Sequence, residues 1–158
     1  VEGLETQAVG RFYVLLGMPL KPTWEYEAKL IRVIDGDTAV FQVFKTVSQE
    51  VDFGFYVKDI VSLSKSAEVS FRFSGINTPE IRGEDKSVVK KGNAAKAEVE
   101  RLLSLGPIRL VSHKPDKYGR WLADVYVSPF GEKEIWVNQA LIDGGFALPY
   151  DGKGEKPV

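Results

Sequence analysis

Residues Ser70–Asp85 read SFRFSGINTPEIRGED, a strand that stops abruptly. Phe71 and Phe73 alternate with Arg72 and Ser74, the two-residue period of a half-buried strand, so Arg72 and Ser74 are expected on the face opposite the two rings. Pro79 biases Thr78 away from helical geometry and ends the strand. That clusters the Asn77 amide, the Thr78 carbonyl and the Glu80 carboxylate at its end, with the Arg72 guanidinium beside them. A proline turn capped by polar side chains accounts for the same residues without any chemistry, and both readings stay open on this stretch alone.

Upstream, EYEAKLIRVI (25–34) and TAVFQVF (38–44) both alternate, and the Asp-Gly pair between them predicts a tight turn. VDFGFYVKDIVSL (51–63) is rich in β-branched and aromatic residues, so an extended hairpin arm over 45–69 is expected before AEVSFRFSGI (67–76) returns to the sheet. Downstream the period becomes helical. GNAAKAEVERLLSLG (92–106) sets Ala95, Val99, Leu102 and Leu103 on one side, with Asn93 as the expected cap and Gly106 as the expected stop. PIRLVSH and WLADVYV then read as strands around the turn KPDKYGR, and KEIWVNQALIDGG (133–145) as a second helix before a fraying tail at 151–158. Strands, helix, strands, helix in this order predict an α+β domain. Its expected centre is a small five-stranded Greek-key barrel, the oligonucleotide and oligosaccharide binding (OB) fold, with two helices and the extended hairpin arm over 45–69 between its second and third strands.

Composition bounds the chemistry. A chain of 158 residues reads as one globular domain over 1–158, with a lead-in at 1–23. Without cysteine there is no disulfide frame and no thiolate site, so a metal would need oxygen ligands or the single histidine, His113, which reads as a partly buried strand residue. The run FYVLLGMPL (12–20) is interrupted by Gly17 and Pro19 and falls short of the roughly 20 residues of a membrane span, so no membrane partner is expected. Loss of an export signal before Val1 is left open. The net charge of −1 argues against bulk attraction to polyanions, yet Glu80–Arg120 holds ten Lys/Arg against six Asp/Glu. That local excess suits either a phosphate-facing surface or a solvated helix face.

Two more clusters carry possible chemistry. DGDT (35–38) projects two carboxylates from one turn, the oxygen donors a hard cation takes, though an Asp-Gly turn needs no function. PDKYGR (115–120) offers Lys117 and Arg120 for phosphate and Tyr118 as a flat platform for a base or sugar, and is equally a plain turn.

Taken together and in order, VIDGDT, FRFSGINTPE, KKGNAAKAEVERLL and DKYGRWLADVYV resemble the staphylococcal-nuclease-like thermonucleases over about Leu30 to Tyr150. The resemblance implies Asp37 and Asn77 as side-chain metal ligands with the Thr78 carbonyl, and Arg72, Glu80 and Arg120 as the catalytic trio. It also implies Lys117, Tyr118 and Tyr150 around a nucleotide, and Ca2+ as the cation. It further implies hydrolysis of DNA and RNA, single strands favoured, with 3′-phosphate ends, and a monomer that is secreted or held at the cell surface. Asn77 departs from the aspartate usual in that family. A neutral amide still coordinates Ca2+ but brings no charge, so weaker Ca2+ binding or another divalent cation is expected. The family prototype also carries a third helix after the region of Tyr150, whose place Phe12–Leu20 is expected to fill. The rival expectation is a catalytically silent nucleic-acid-binding or interaction module; silent copies should lose the arginines or the glutamate, and all three stand here. An oligosaccharide-binding barrel would want aromatics along an open groove without that set.

Overall fold

The alternating segments form the strands that their pattern predicts. The computed structural model describes residues 24–154 and Pro157. The expectation for Phe12–Leu20 therefore lies outside the described residues. β1 (Glu25–Asp35) buries Ala28 and Val33, turns at Gly36-Asp37 and returns as β2 (Thr38–Gly54), antiparallel, with Lys29 opposite Gln42 and Asp35 opposite Thr38. β2 reverses into β3 (Val57–Phe73) in one continuous register, from Thr38 opposite Arg72 to Asp52 opposite Lys58. The expected hairpin arm is thus the outer length of two 17-residue strands. After the short β4 (Ile76–Asn77) and helix α1 (Lys86–Leu103) come β5 (Ile108–Pro115) and β6 (Trp121–Val127). β5 pairs antiparallel with both β1 and β6, and β6 closes the ring on β3 in parallel, Arg72 beside Leu122. The ring β1-β2-β3-β6-β5 is the expected five-stranded barrel, and with its helices the chain is an α+β OB fold. β7 (Ile135–Trp136) adds to β6, and β8 (Leu148–Pro149) pairs with β4.

Phe41, Phe73, Leu110 and Val125 fill the barrel, and Val99 of α1 with Val137 and Leu141 of helix α2 (Val137–Asp143) join the same core. Each such side chain contributes about 1.5–3 kcal/mol on full burial. The buried Asn138 carries no charge into this core but ties it together. Its Oδ1 accepts from Val125 N at 2.9 Å, and its Nδ2 donates to Ser74 O at 2.9 Å and Ala123 O at 3.1 Å. That clamps α2 to β6 and to the end of β3.

Four local expectations are corrected. α1 starts six residues before Gly92, because the Asp85 carboxylate accepts from the Ser87 and Val88 amides and caps it there, leaving Asn93 inside the helix. It also ends at Leu103 with Ser104 as its cap, so Gly106 lies beyond the stop. α2 is shorter than 133–145, since Ile135 and Trp136 pair as a strand with Val127 and Tyr126. His113 is exposed at the outer end of β5, its Nε2 2.7 Å from Asp124 Oδ2.

Candidate nucleic-acid site

The Asp-Gly turn between β1 and β2 and the proline turn after β4 meet on one side of α1. Two glycines make that approach possible. A Cβ at Gly36 would lie 2.7 Å from Ala95 Cβ and 2.8 Å from Thr78 Oγ1; one at Gly92 would lie 2.5 Å from the Glu80 carbonyl oxygen. In the sequence, Gly36 reads as a turn residue and Gly92 as the first residue of the helical segment, and neither close approach is visible there. A glycine inside a helix, where it costs about 0.5–1 kcal/mol against alanine, was the signal for the second.

Asp35, Asp37, Arg72, Thr78, Pro79, Glu80 and Arg120 line a small polar cavity of about 70 Å3. Asp37 is its buried anchor. Its Oδ1 lies 2.5 Å from Arg72 Nη1 and accepts from Thr38 Oγ1 at 2.9 Å, while its Oδ2 accepts from the Thr78 amide at 3.2 Å. Burial, and then the neighbouring Asp37 charge, push the Asp35 carboxyl above its usual range. Arg72, paired on its strand with Thr38, is itself buried and also donates from Nη2 to Ile76 O at 3.1 Å.

Asn77 sits differently from the other expected ligands. Its side chain does not line this cavity; Oδ1 accepts from Arg72 Nη2 at 3.4 Å and Nδ2 donates to the Pro157 carbonyl at 3.1 Å. Glu84 is absent from the lining as well, while Asp35 is part of it. Every donor around the cavity is an oxygen, which fits a hard divalent cation in chemistry. Among the described residues, however, no three His, Cys, Asp or Glu side chains form a ready metal cluster.

Arg72 and Arg120 also border a second, larger space. This groove of about 380 Å3 is lined further by Asp116, Lys117, Tyr118 and Tyr150, together with Asp151–Gly154 of the tail. The tail is tied here: the Tyr150 amide donates to Gly75 O at 2.9 Å and its hydroxyl to Gly154 O at 3.3 Å. Tyr118 projects from the β5–β6 turn with its ring largely in solvent, 5.2 Å from Lys117 Nζ and 5.4 Å from the Arg120 guanidinium carbon. Asp116, unremarked in the sequence, organises the turn. Its Oδ1 accepts from the Tyr118 and Arg120 amides, and its Oδ2 from Arg120 Nε at 2.8 Å and Nη2 at 2.7 Å. Burial acts to raise Asp116, but these bonds from Arg120 and Tyr118 outweigh it and hold the carboxyl below its usual range. The motif Asp-x-x-Gly, with Gly119 at φ 76°, is the sequence signal of such a turn.

A closed five-stranded barrel with two arginines between an oxygen-lined cavity and an aromatic groove is the staphylococcal-nuclease-like class of OB fold. The model of the family described as staphylococcal nuclease homologue matches residues 70–157, more than half of the chain, and the protein belongs to that family. The matched span holds Arg72, Asn77, Thr78, Glu80, Lys117, Tyr118, Arg120 and Tyr150, whereas Asp35 and Asp37 precede it. No curated protein matches the chain. Membership sets it among nuclease-type or nucleic-acid-binding domains.

Proposed function

We propose that the protein is a Ca2+-dependent nuclease that hydrolyses phosphodiester bonds of DNA and RNA. One observation carries this reading: Arg72 and Arg120 border both the carboxylate cavity and the aromatic groove, so a phosphate entering along the groove meets both guanidiniums next to Glu80. Hydrolysis accumulates negative charge on the equatorial phosphoryl oxygens as water attacks in line with the leaving oxygen. Forked hydrogen bonds from two arginines stabilise that more highly charged state above the ground state. Glu80 orients the water or takes its proton, and departure of the 5′ oxygen leaves a 3′-phosphate end. Lys117 neutralises a neighbouring phosphate, and Tyr118 and Tyr150 offer flat surfaces to a base or sugar, which favours single strands. The Asp37 and Asp35 carboxylates and the Thr78 carbonyl would hold the cation. When bound, it polarises a phosphoryl oxygen. Asn77 acts at one remove in this scheme, through Arg72.

A second reading, binding without cleavage, draws on the pairing of both arginines with the protein's own carboxylates, Asp37 and Asp116. Incubation of the protein with single-stranded DNA, with Ca2+ or with a chelator, separates the two. The nuclease degrades DNA in Ca2+ only, and Glu80→Gln abolishes degradation. Retention of DNA without cleavage under all conditions supports the binding module, and degradation indifferent to both chelator and substitution overturns the site.

A further inference from the structure

After β8 the chain stays against the larger groove. Leu148 and Pro149 pair with Asn77 and Ile76, and the Tyr150 amide extends that attachment to Gly75 O. Asp151–Gly154 then form a shaped loop in the groove wall. Gly152 and Gly154 take φ of 84° and 73°, left-handed backbone open to glycine without steric cost, and the Asp151 carboxylate accepts from the Lys153 amide at 2.9 Å. The second attachment comes from Asn77. This buried side chain, 6 % exposed, donates from Nδ2 to Pro157 O at 3.1 Å. Pro157 is three residue steps from Gly154, at most about 11 Å of chain, so a bond there limits how far the loop can swing. The loop is therefore fixed on both sides, by the strand backbone before it and by Asn77 after it.

The loop carries one cation into the groove. Among the described residues of the lining, Arg72, Lys117, Arg120 and Lys153 are positive, against Asp116 and Asp151. Arg72 is paired with Asp37 and Arg120 with Asp116, whereas the exposed Lys153 makes no ion pair among the described residues. A lysine is a point charge on a flexible stem, suited to a backbone phosphate whatever the base attached to it.

We propose that Lys153 contacts a further phosphate of the bound single strand and that Asn77 is the positioning residue that latches its loop through Pro157. The proposal rests on the nucleic-acid reading of the groove and adds two residues to it. Binding of a single DNA strand of about twelve nucleotides, measured in Ca2+ on the full chain carrying Glu80→Gln, tests the contact. Lys153→Gln should weaken binding about fivefold and flatten the slope of log affinity against log salt by about 0.7, the share of one phosphate, while Lys153→Arg keeps affinity within about twofold of the lysine chain. Asn77→Ala should weaken binding by a similar factor when Lys153 is present and by less than about twofold once Lys153→Gln is in place. Additive losses, or an unchanged slope in Lys153→Gln with binding intact, overturn the proposal and leave the nucleic-acid reading standing; no strand binding by the chain with Lys153 and Asn77 in place overturns both. The latch is also read without nucleic acid. Trypsin should cut after Lys153 at least tenfold faster in Asn77→Ala, with cutting after Lys90 or Lys91 in α1 unaltered, because the protease acts on the opened loop. Equal rates after Lys153, or acceleration in α1 as well, overturn the latch.

Discussion

Asp116 and Arg120 lie four residues apart in one turn, yet they bear on the site together, because the carboxylate fixes the direction of the guanidinium. Asp116→Ala should lower kcat about tenfold with little change in KM, since Arg120 keeps its charge and loses its aim; steady-state cleavage of single-stranded DNA checks this. Asn77→Asp removes the donor to Pro157 O and sets a negative charge beside Arg72, competing with Asp37 for that arginine. The expected outcome is Ca2+ binding several-fold tighter, read by calcium titration, and an unchanged titration counts against the electrostatic account. The direction of Arg72 was legible from alternation alone, because the period of two is local. The orientation of Asn77 was not. Its amide is held by a carbonyl 80 residues further along the chain, and no local pattern encodes that contact.

Among the elements, α1 serves as the platform on which the site turns rest. Gly92→Ala gains helix propensity but drives a Cβ to 2.5 Å from the Glu80 carbonyl oxygen, so a net destabilisation of about 1–2 kcal/mol is expected, seen in the denaturant midpoint, together with lost activity. The helix itself was legible from Ala95, Val99, Leu102 and Leu103, all buried as expected. Its start was not, because Lys86–Lys91 lacks a strong apolar stripe and only the Asp85 cap defines it. The arm makes its turn with Phe55 at φ 55° and Tyr56 at φ 64°, a left-handed pair where asparagine and glycine are the usual residues. Phe55→Asn with Tyr56→Gly relieves that strain and should raise stability by about 1 kcal/mol or more in chemical denaturation, since both side chains are exposed.

On the scale of the whole molecule, the site exists because the barrel closes. The parallel pairing of β3 with β6 brings Arg72 next to Leu122 and so carries the β5–β6 turn, with Arg120, to the end of the strand that bears Arg72. Element order made the barrel readable, since strands, helix and strands in this sequence leave few ways to close. The closing register pairs residues 50 positions apart, and no local pattern encodes which residues meet there. The same geometry gives the central claim, that the two arginines act on a phosphate held between cavity and groove. Its most direct test is the single-turnover cleavage rate of a short single-stranded DNA in Ca2+ by the unaltered protein and by Arg120→Ala, with DNA binding measured on both. The account predicts a rate at least a hundredfold lower in the variant and affinity within about tenfold. Cleavage by Arg120→Ala at the unaltered rate would contradict it.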